Sequence, residues 1–228
     1  MLIEVWSDVV CPWCAIGKKN LEAALADFGG EVEVEWRSFE LDTTAPREQP
    51  LDLADHLARK YGVNRQRALA LMDQARQAGL AAGVDLRFDR VRPGNTHDAH
   101  RLLHLAAERG RQGALKTRLL AASLTEGEAI GQPEVLQRLA EEVGLDAAEV
   151  ALVLASDAYA EAVRADKAEA LELGARGVPF FLFDGRLAVP GAQPVEVFQR
   201  ALRQAWPDVG PPPAATRTAA RSGRVPCP

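Results

Sequence analysis

Cys11-Pro12-Trp13-Cys14 follows an apolar run, Leu2–Trp6, and precedes a stretch whose apolar residues recur at helical spacing. A strand that leads into a helix here places the first cysteine at the helix N-terminus. Unpaired backbone N–H groups and the helix dipole stabilise a thiolate at that point, and the thiolate is the nucleophile in thiol–disulfide exchange. The motif therefore predicts an exposed, acidic Cys11 and a more buried, less reactive Cys14.

Two other interpretations of the cysteine pair are half of a structural zinc site and a pair of inert buried thiols. A structural zinc site needs four ligands, and the sequence has no second C-x-x-C, because the third cysteine is the remote Cys227. Three cysteines cannot form a disulfide framework. We therefore predict redox chemistry and no metal site.

The two residues between the cysteines fit this interpretation. Pro12 suits the first turn of a helix, where its missing N–H is not needed. Trp13 could pack against the protein or contact substrate, because an aromatic residue at such a turn suits both roles. We predict that both residues tune the dithiol or bind substrate.

The composition is that of a globular domain, with 47% hydrophobic and 26% charged residues among 228. The net charge of −5 argues against nucleic acid as a partner. The sequence shows no membrane span and no basic or small-residue signal before Cys11. We expect a cytoplasmic protein without a membrane partner.

The order of elements predicts an α/β fold with one mixed sheet. A strand over 2–7, a helix over 14–28 and an alternating strand over 32–39 form a β-α-β unit. Strands over 180–183 and 187–189, joined at Asp184-Gly185, and a helix over 193–206 form a β-β-α unit. Each set of strands is too small to be stable alone, so both belong to one sheet, interrupted by an inserted all-helical domain.

The chain between the two units is helical in pattern. Asn64 is expected to cap one helix, Asn95 or Thr96 the next, and Asp146 a third. Other helices are predicted over 113–124, from Pro133, and from Ser156 or Asp157. The predicted parts are 1–43 and 175–207 for the sheet unit, 44–174 for the helical insertion and 208–228 for a tail rich in Pro and Arg.

Several motifs together resemble one branch of a known family. They are 7–17 (SDVVCPWCAIG), 95–102 (NTHDAHRL), 177–181 (GVPFF) and 191–194 (GAQP). This set is similar to the FrnE branch of the DsbA-like class of thioredoxin-fold proteins, over about residues 2–206. Relatives of that branch include 2-hydroxychromene-2-carboxylate isomerase and kappa-type glutathione transferases, which generally carry serine where this chain has Cys11.

The resemblance implies a thioredoxin fold with a helical insertion and a thiol–disulfide oxidoreductase activity. It implies that Cys11 attacks and Cys14 resolves, and that the Val178-Pro179 peptide is cis and faces the dithiol. The Val178 backbone would then be turned toward the substrate. It also suggests that the helix carrying Asn95 and His100 packs near the dithiol.

Three further residues are weaker site candidates. Asp8 could shuttle a proton to Cys14 or cap the helix turn, because a side-chain oxygen suits both roles. His100 shares a helix face with His104, as two metal ligands would, but a surface or core role is the more ordinary one. Cys227 is either a spare thiol or a third redox thiol that pairs with Cys11.

These observations predict a protein disulfide oxidase, reductase or isomerase acting on protein or peptide thiols. No bound cofactor is expected, glutathione is a candidate redox partner, and a separate reductant or oxidant would recycle the dithiol. One alternative is a glutathione-dependent isomerase or transferase on a small aromatic substrate. The other is a binding module whose thiols are structural, for which Cys11 would keep the pKa of a free thiol, about 8.5.

Overall fold

A four-stranded mixed sheet with the order β2-β1-β3-β4 organises the chain in the computed structural model, which describes residues 1–48 and 52–206. The central strand β1 pairs with β2 in parallel and with β3 antiparallel, and β3 pairs antiparallel with β4. The strands are β1 (Leu2–Ser7), β2 (Glu33–Ser38), β3 (Phe180–Phe183) and β4 (Leu187–Pro190). The predicted α/β fold with one mixed sheet is confirmed.

The β3–β4 hairpin turns where the sequence predicted. Asp184 and Gly185 both have positive φ, 51° and 65°, as the two central residues of a type I′ turn require. Asp tolerates this conformation and Gly adopts it freely, so this dipeptide fixes the register that pairs Phe183 with Leu187.

Nine α-helices lie within the described residues. They are α1 (Pro12–Ala26), α2 (Leu53–Tyr61), α3 (Arg65–Ala81), α4 (His97–Glu108), α5 (Gln112–Ala121), α6 (Pro133–Glu142), α7 (Ala147–Leu154), α8 (Ala160–Glu172) and α9 (Val195–Ala205). A π-helical turn, Ala122–Glu126, continues α5. Helices α2 to α8 all lie between β2 and β3, where the sequence predicted helices.

The predicted helix starts are mostly confirmed. Asn64 and Asp146 cap α3 and α7 through their side chains, and Pro133 is the first residue of α6. The prediction for α8 is wrong, because this helix begins at Ala160, after Tyr159, and not at Ser156 or Asp157.

Four apolar clusters lie in the described residues, and two of them are larger than the rest. One packs α1 and α9 against the sheet and contains Ile3, Val5, Phe181, Phe183 and Phe198. The other is formed mainly by helices α4 to α7, with Leu102, Leu115 and Leu136 fully buried. A third cluster joins Trp6 and Phe180 to Ala170, and a fourth joins Ile16 of α1 to Leu120 of α5, so the sheet and the inserted helices also share apolar contacts. The limits at 43/44 and 174/175 stay a prediction.

Two further sequence predictions concern the C-terminal tail and the absence of a membrane-spanning segment. The tail over 208–228, with Cys227, lies outside the described residues. Within 1–48 and 52–206, none of the helices combines the length and the apolar character that crossing a membrane requires.

Candidate active site

The dithiol lies at the N-terminus of α1, as the sequence predicted. Cys11 is the N-cap residue with extended backbone, and Pro12 is the first helical residue. The prediction that Cys11 is exposed is wrong, because the residue is only 4% exposed and Cys14 only 1%. Cys11 instead lines a partly open pocket that residues of α2 and α3 also line.

The two thiols have opposite acid–base behaviour. A hydrogen bond from the Cys14 thiol lowers the pKa of Cys11, and the backbone N–H groups of Cys14 and Trp13 add to this against the effect of burial. Burial, followed by the hydrogen bond and negative charge of Cys11, raises the pKa of Cys14 well above its usual value. The first cysteine is thus the one that forms a thiolate readily.

The Val178-Pro179 peptide is cis and lies beside the dithiol. The Cys11 thiol donates a long hydrogen bond to the Val178 carbonyl, with 3.7 Å between Sγ and O. On the other side, Pro179 and Phe181 crowd Gly17 of α1, where an added Cβ would lie 3.0 Å from the proline ring. This close packing holds α1, and with it the dithiol, against the start of β3.

Asp8 is fully buried behind the dithiol. Its carboxylate accepts a hydrogen bond from the Leu41 N–H at 2.7 Å and lies 3.3 Å from His100 Nε2. Burial raises the pKa of Asp8, but His100, the Leu41 N–H and Lys116 outweigh that effect and hold it below the usual value. Among the described residues the partners of this carboxylate are Leu41 and His100 and not the first turn of α1, so its geometry does not support a capping role.

Lys116 is a charged residue near the dithiol that sequence reasoning missed. It comes from α5, is 0% exposed, and donates from Nζ to the Ser7 carbonyl at 3.3 Å. Burial lowers the pKa of Lys116 to about 8, although the charges of Cys14, Asp8 and Cys11 oppose the shift. No local pattern marks this lysine, because it stands among helix residues about a hundred positions from the motif.

The pocket over Cys11 has a volume of about 350 Å³. Cys11, Pro12 and Trp13 form part of its floor, and α2 and α3 form its cover. Trp13 is half-buried and also packs against the apolar cluster that contains Ala75 and Leu124. Both roles considered for Trp13, packing and lining a substrate site, are therefore compatible with its position.

The remaining candidates lie farther from the thiols. Asn95 accepts from the His97 N–H at 2.8 Å and donates to the Ala45 carbonyl at 3.0 Å, so it fixes the start of α4. His100 contacts Asp8, whereas His104 contacts Ser38 and Asp166. Among the described residues, no group of three or more His, Cys, Asp or Glu side chains is arranged to hold a metal ion.

Comparison with known proteins agrees with this geometry. The chain is 34% identical over 204 residues to the uncharacterized protein YwbO of Bacillus subtilis, covering 88% of this chain and 94% of that one. It is similar to the crystal structure of the probable DsbA oxidoreductase SCO1869 from Streptomyces coelicolor, with a TM-score of 0.86, 43% identity and full coverage of both chains.

A more distant structure shares the fold. It is the cytosolic disulfide reductase DsbM from Pseudomonas aeruginosa with GSH, at a TM-score of 0.64, 20% identity, and coverage of 90% of this chain and 98% of that one. The sequence profile of the family described as DSBA-like thioredoxin domain matches residues 2–203. This chain therefore belongs to the DsbA-like thioredoxin-domain family, a family of oxidoreductases.

Proposed function

We propose that the chain is a thiol–disulfide oxidoreductase in which Cys11 attacks and Cys14 resolves. The Cys11 thiolate attacks one sulfur of a substrate disulfide and expels the other as a thiolate, giving a mixed disulfide. Cys14 then loses its proton and attacks the Cys11 sulfur, which expels the second substrate thiolate. The protein dithiol is oxidised by two electrons, the substrate disulfide is reduced, and the reverse steps oxidise a dithiol.

The observation that carries this proposal is the place of the two thiols: Cys11 is the N-cap of α1 and lines the pocket, whereas Cys14 lies inside the first turn of the helix. The pKa is lowered for Cys11 and raised for Cys14. A low pKa makes Cys11 the better nucleophile and the better leaving group, so the mixed disulfide forms and breaks at that sulfur. A buried Cys14 with a raised pKa stays protonated until the mixed disulfide forms.

The charges behind the dithiol suit the resolving step. Cys14 must become a thiolate inside the protein, and the positive charge of Lys116 lowers its pKa against the larger effect of burial. The role of Asp8 as a proton shuttle stays a prediction, supported by its burial and its contact with His100. Val178 and Pro179 are proposed to flank the substrate, because the Val178 carbonyl already lies at Cys11 Sγ.

A separate thiol or disulfide must return the dithiol to its starting state. Glutathione remains a candidate for this recycling, and DsbM, which shares the fold, is a disulfide reductase with a structure containing GSH. The isomerase or transferase alternative needs a bound thiol but no resolving cysteine. Activity on a small aromatic electrophile that survives Cys14→Ala would therefore favour that alternative.

Trapping of the mixed disulfide tests the proposal. In a Cys227→Ser background, Cys14→Ala should accumulate a stable adduct at Cys11 with a disulfide substrate, measured by intact-mass and peptide mass spectrometry. The matched Cys11→Ala variant should form none under the same conditions. An equal yield of adduct at Cys14 in the Cys11→Ala protein would contradict the assigned roles.

A further inference from the structure

We infer that the substrate attacked by Cys11 is a small, neutral, apolar disulfide that binds in the pocket beneath α2 and α3. This inference rests on the proposed function and replaces the substrate class that the sequence alone predicted, protein or peptide thiols, with a small disulfide. It would make the inserted helices the part of the protein that selects the substrate.

The walls of the pocket are mostly apolar. Leu53 and Leu57 from α2, Leu71 and Met72 from α3, and Phe88 from the following loop enclose the space above Cys11. The volume of about 350 Å³ lies at the small end of the range for sites that enclose low-molecular-weight ligands, about 300 to 1,000 Å³. A small apolar molecule gains free energy by leaving water for such a space, whereas a folded protein surface does not fit inside it.

The polar groups at the pocket do not favour an anionic ligand. Asp42 is held by Thr44, whose hydroxyl donates to it at 2.8 Å, and Lys60 reaches the Leu41 carbonyl at 3.5 Å. Burial and the nearby Lys60 lower the pKa of His56, so this imidazole is neutral at neutral pH. Asp42 and Lys60 thus offset each other, but the Asp8 carboxylate also lines the pocket and the reactive form of Cys11 is a thiolate. These negative charges disfavour an anionic disulfide.

The pocket meets solvent at the end of α2. Tyr61, the last residue of that helix, lines the pocket yet is 56% exposed, so it stands at the boundary with solvent. Burial, and then the negative charge of Cys11, raises the pKa of Tyr61. With Cys11 itself only 4% exposed, a disulfide must enter the pocket before it can be attacked.

The reaction in the pocket needs only the dithiol and the ligand. The Cys11 thiolate bonds to one sulfur of the small disulfide and releases the first small thiolate. Cys14 then bonds to Cys11 and releases the second, so that two electrons pass from the protein to the ligand. A low-molecular-weight dithiol such as dithiothreitol restores Cys11 and Cys14 for a further turnover.

Single-turnover kinetics with two disulfides of similar shape test the inference. The reduced full chain, as Cys227→Ser, is mixed with neutral 2,2′-dithiodipyridine or with the dianionic 5,5′-dithiobis(2-nitrobenzoate), and thiol release is followed by absorbance. Each rate constant is divided by that of free cysteine, which removes the intrinsic reactivity of each disulfide. The protein should prefer the neutral disulfide at least about tenfold more strongly than free cysteine does.

A matched pair of variants on α3 separates the pocket from the overall charge of the protein. Met72→Lys places an ammonium in the pocket wall, whereas Leu69→Lys adds the same charge at a position on the same helix that is 47% exposed and does not line the pocket. Met72→Lys should remove most of the preference and Leu69→Lys should retain it. Leu57→Ser, which adds no charge, should also weaken the reaction with the neutral disulfide if Met72→Lys fails to fold.

The outcomes distinguish the substrate class from the exchange reaction itself. A preference no greater than that of free cysteine, equal effects of Met72→Lys and Leu69→Lys, or a larger normalised rate with glutathione disulfide or a protein disulfide would overturn this inference. In each of those cases Cys11 still reacts, so the proposed function stands. If no disulfide oxidises the Cys11–Cys14 pair, the proposed function fails and this inference fails with it.

Discussion

At the scale of single residues, Cys11 and Cys14 differ in surroundings and not in kind. Cys11 receives hydrogen bonds from Cys14 and from backbone N–H groups at the start of α1, which favour its thiolate. Cys14 lies one turn inside the helix, where burial dominates. The proposed roles, attack by Cys11 and resolution by Cys14, follow from this difference in position of about one helical turn.

Asp8→Asn should make Cys11 more acidic. The negative charge of Asp8 raises the pKa of Cys11, so its removal should move the pH midpoint of Cys11 alkylation downward. The same change should lower the pKa of Lys116 further, because Asp8 favours the charged ammonium. An upward movement of the Cys11 midpoint would show that Asp8 acts on the thiol in another way.

The sequence identified most of the residues at the dithiol but not their surroundings. The C-x-x-C spacing and the strand before it predict the helix N-terminus, because those signals are local. The exposure of Cys11 was predicted wrongly and Lys116 was missed, since both depend on where α2, α3 and α5 pack in space. Such contacts between residues far apart in the chain leave no periodic pattern in the sequence.

At the scale of elements, α1 is positioned by close packing on the start of β3. An added Cβ on Gly17 would lie 3.0 Å from the Pro179 ring and 3.1 Å from the Phe181 ring. Pro179 and Phe181 are both buried and neither can move freely. The glycine is therefore needed for the approach of the helix to the cis proline.

Gly17→Ala should destabilise the protein by about 1 to 3 kcal/mol, the usual cost of overpacking, and should slow the exchange reaction because α1 is displaced from Pro179. Gly113→Ala is the matched control, because an added Cβ there meets nothing within 4 Å and alanine favours a helix. Chemical denaturation measures both changes. Equal stability of the two variants would contradict the packing described here.

The start of α8 is set by contacts between residues far apart in the chain and not by the local capping signals. Ser156 and Asp157 look like helix caps in the sequence, but the segment before Ala160 is held by the buried Arg101. Its guanidinium donates to the carbonyls of Val153, Ser156 and Ala158. These bonds keep the segment out of the helix, so the helix begins three residues later than Asp157.

Asp146→Ala should cost about 1 kcal/mol of stability, the usual value of an N-cap. The Asp146 carboxylate accepts from the N–H groups of Ala148 and Glu149, both at 3.0 Å. Asp157→Ala should change stability little, since its side chain caps no helix among the described residues. The difference between the two free energies of unfolding checks the prediction, and a larger loss for Asp157→Ala would contradict it.

At the scale of the whole molecule, the sheet unit positions the dithiol, and the helical insertion places charged side chains and the pocket walls around it. Helix α5 contributes Lys116 behind the thiols, α4 contributes His100, and α2 and α3 close the pocket above Cys11. The sequence predicted the sheet and the presence of the helices, because strand alternation and helix caps are local. The pocket depends on how the helices pack together, which these signals do not specify.

The burial of Lys116 should appear in the pH dependence of stability. Its pKa is about 8 in the folded protein and 10.5 when unperturbed, so the unfolded chain binds more protons between these values and stability rises with pH. Relative to Lys116→Met, the reduced protein should gain up to roughly 3 kcal/mol between pH 8 and 10.5. The raised pKa of Cys14 has the opposite effect, a fall in stability as the pH rises, in both the unsubstituted protein and Lys116→Met. A flat difference would contradict the burial of a titrating lysine.

The most direct test of the proposed roles is the pH dependence of alkylation at each thiol. The reduced protein is treated with iodoacetamide across a range of pH, and the modified peptides are quantified by mass spectrometry. Cys11 should react with a midpoint clearly below that of a free thiol, about 8.5, while Cys14 stays unmodified until much higher pH. A midpoint at or above that of a free thiol for Cys11, or equal modification of Cys14, would contradict the assignment.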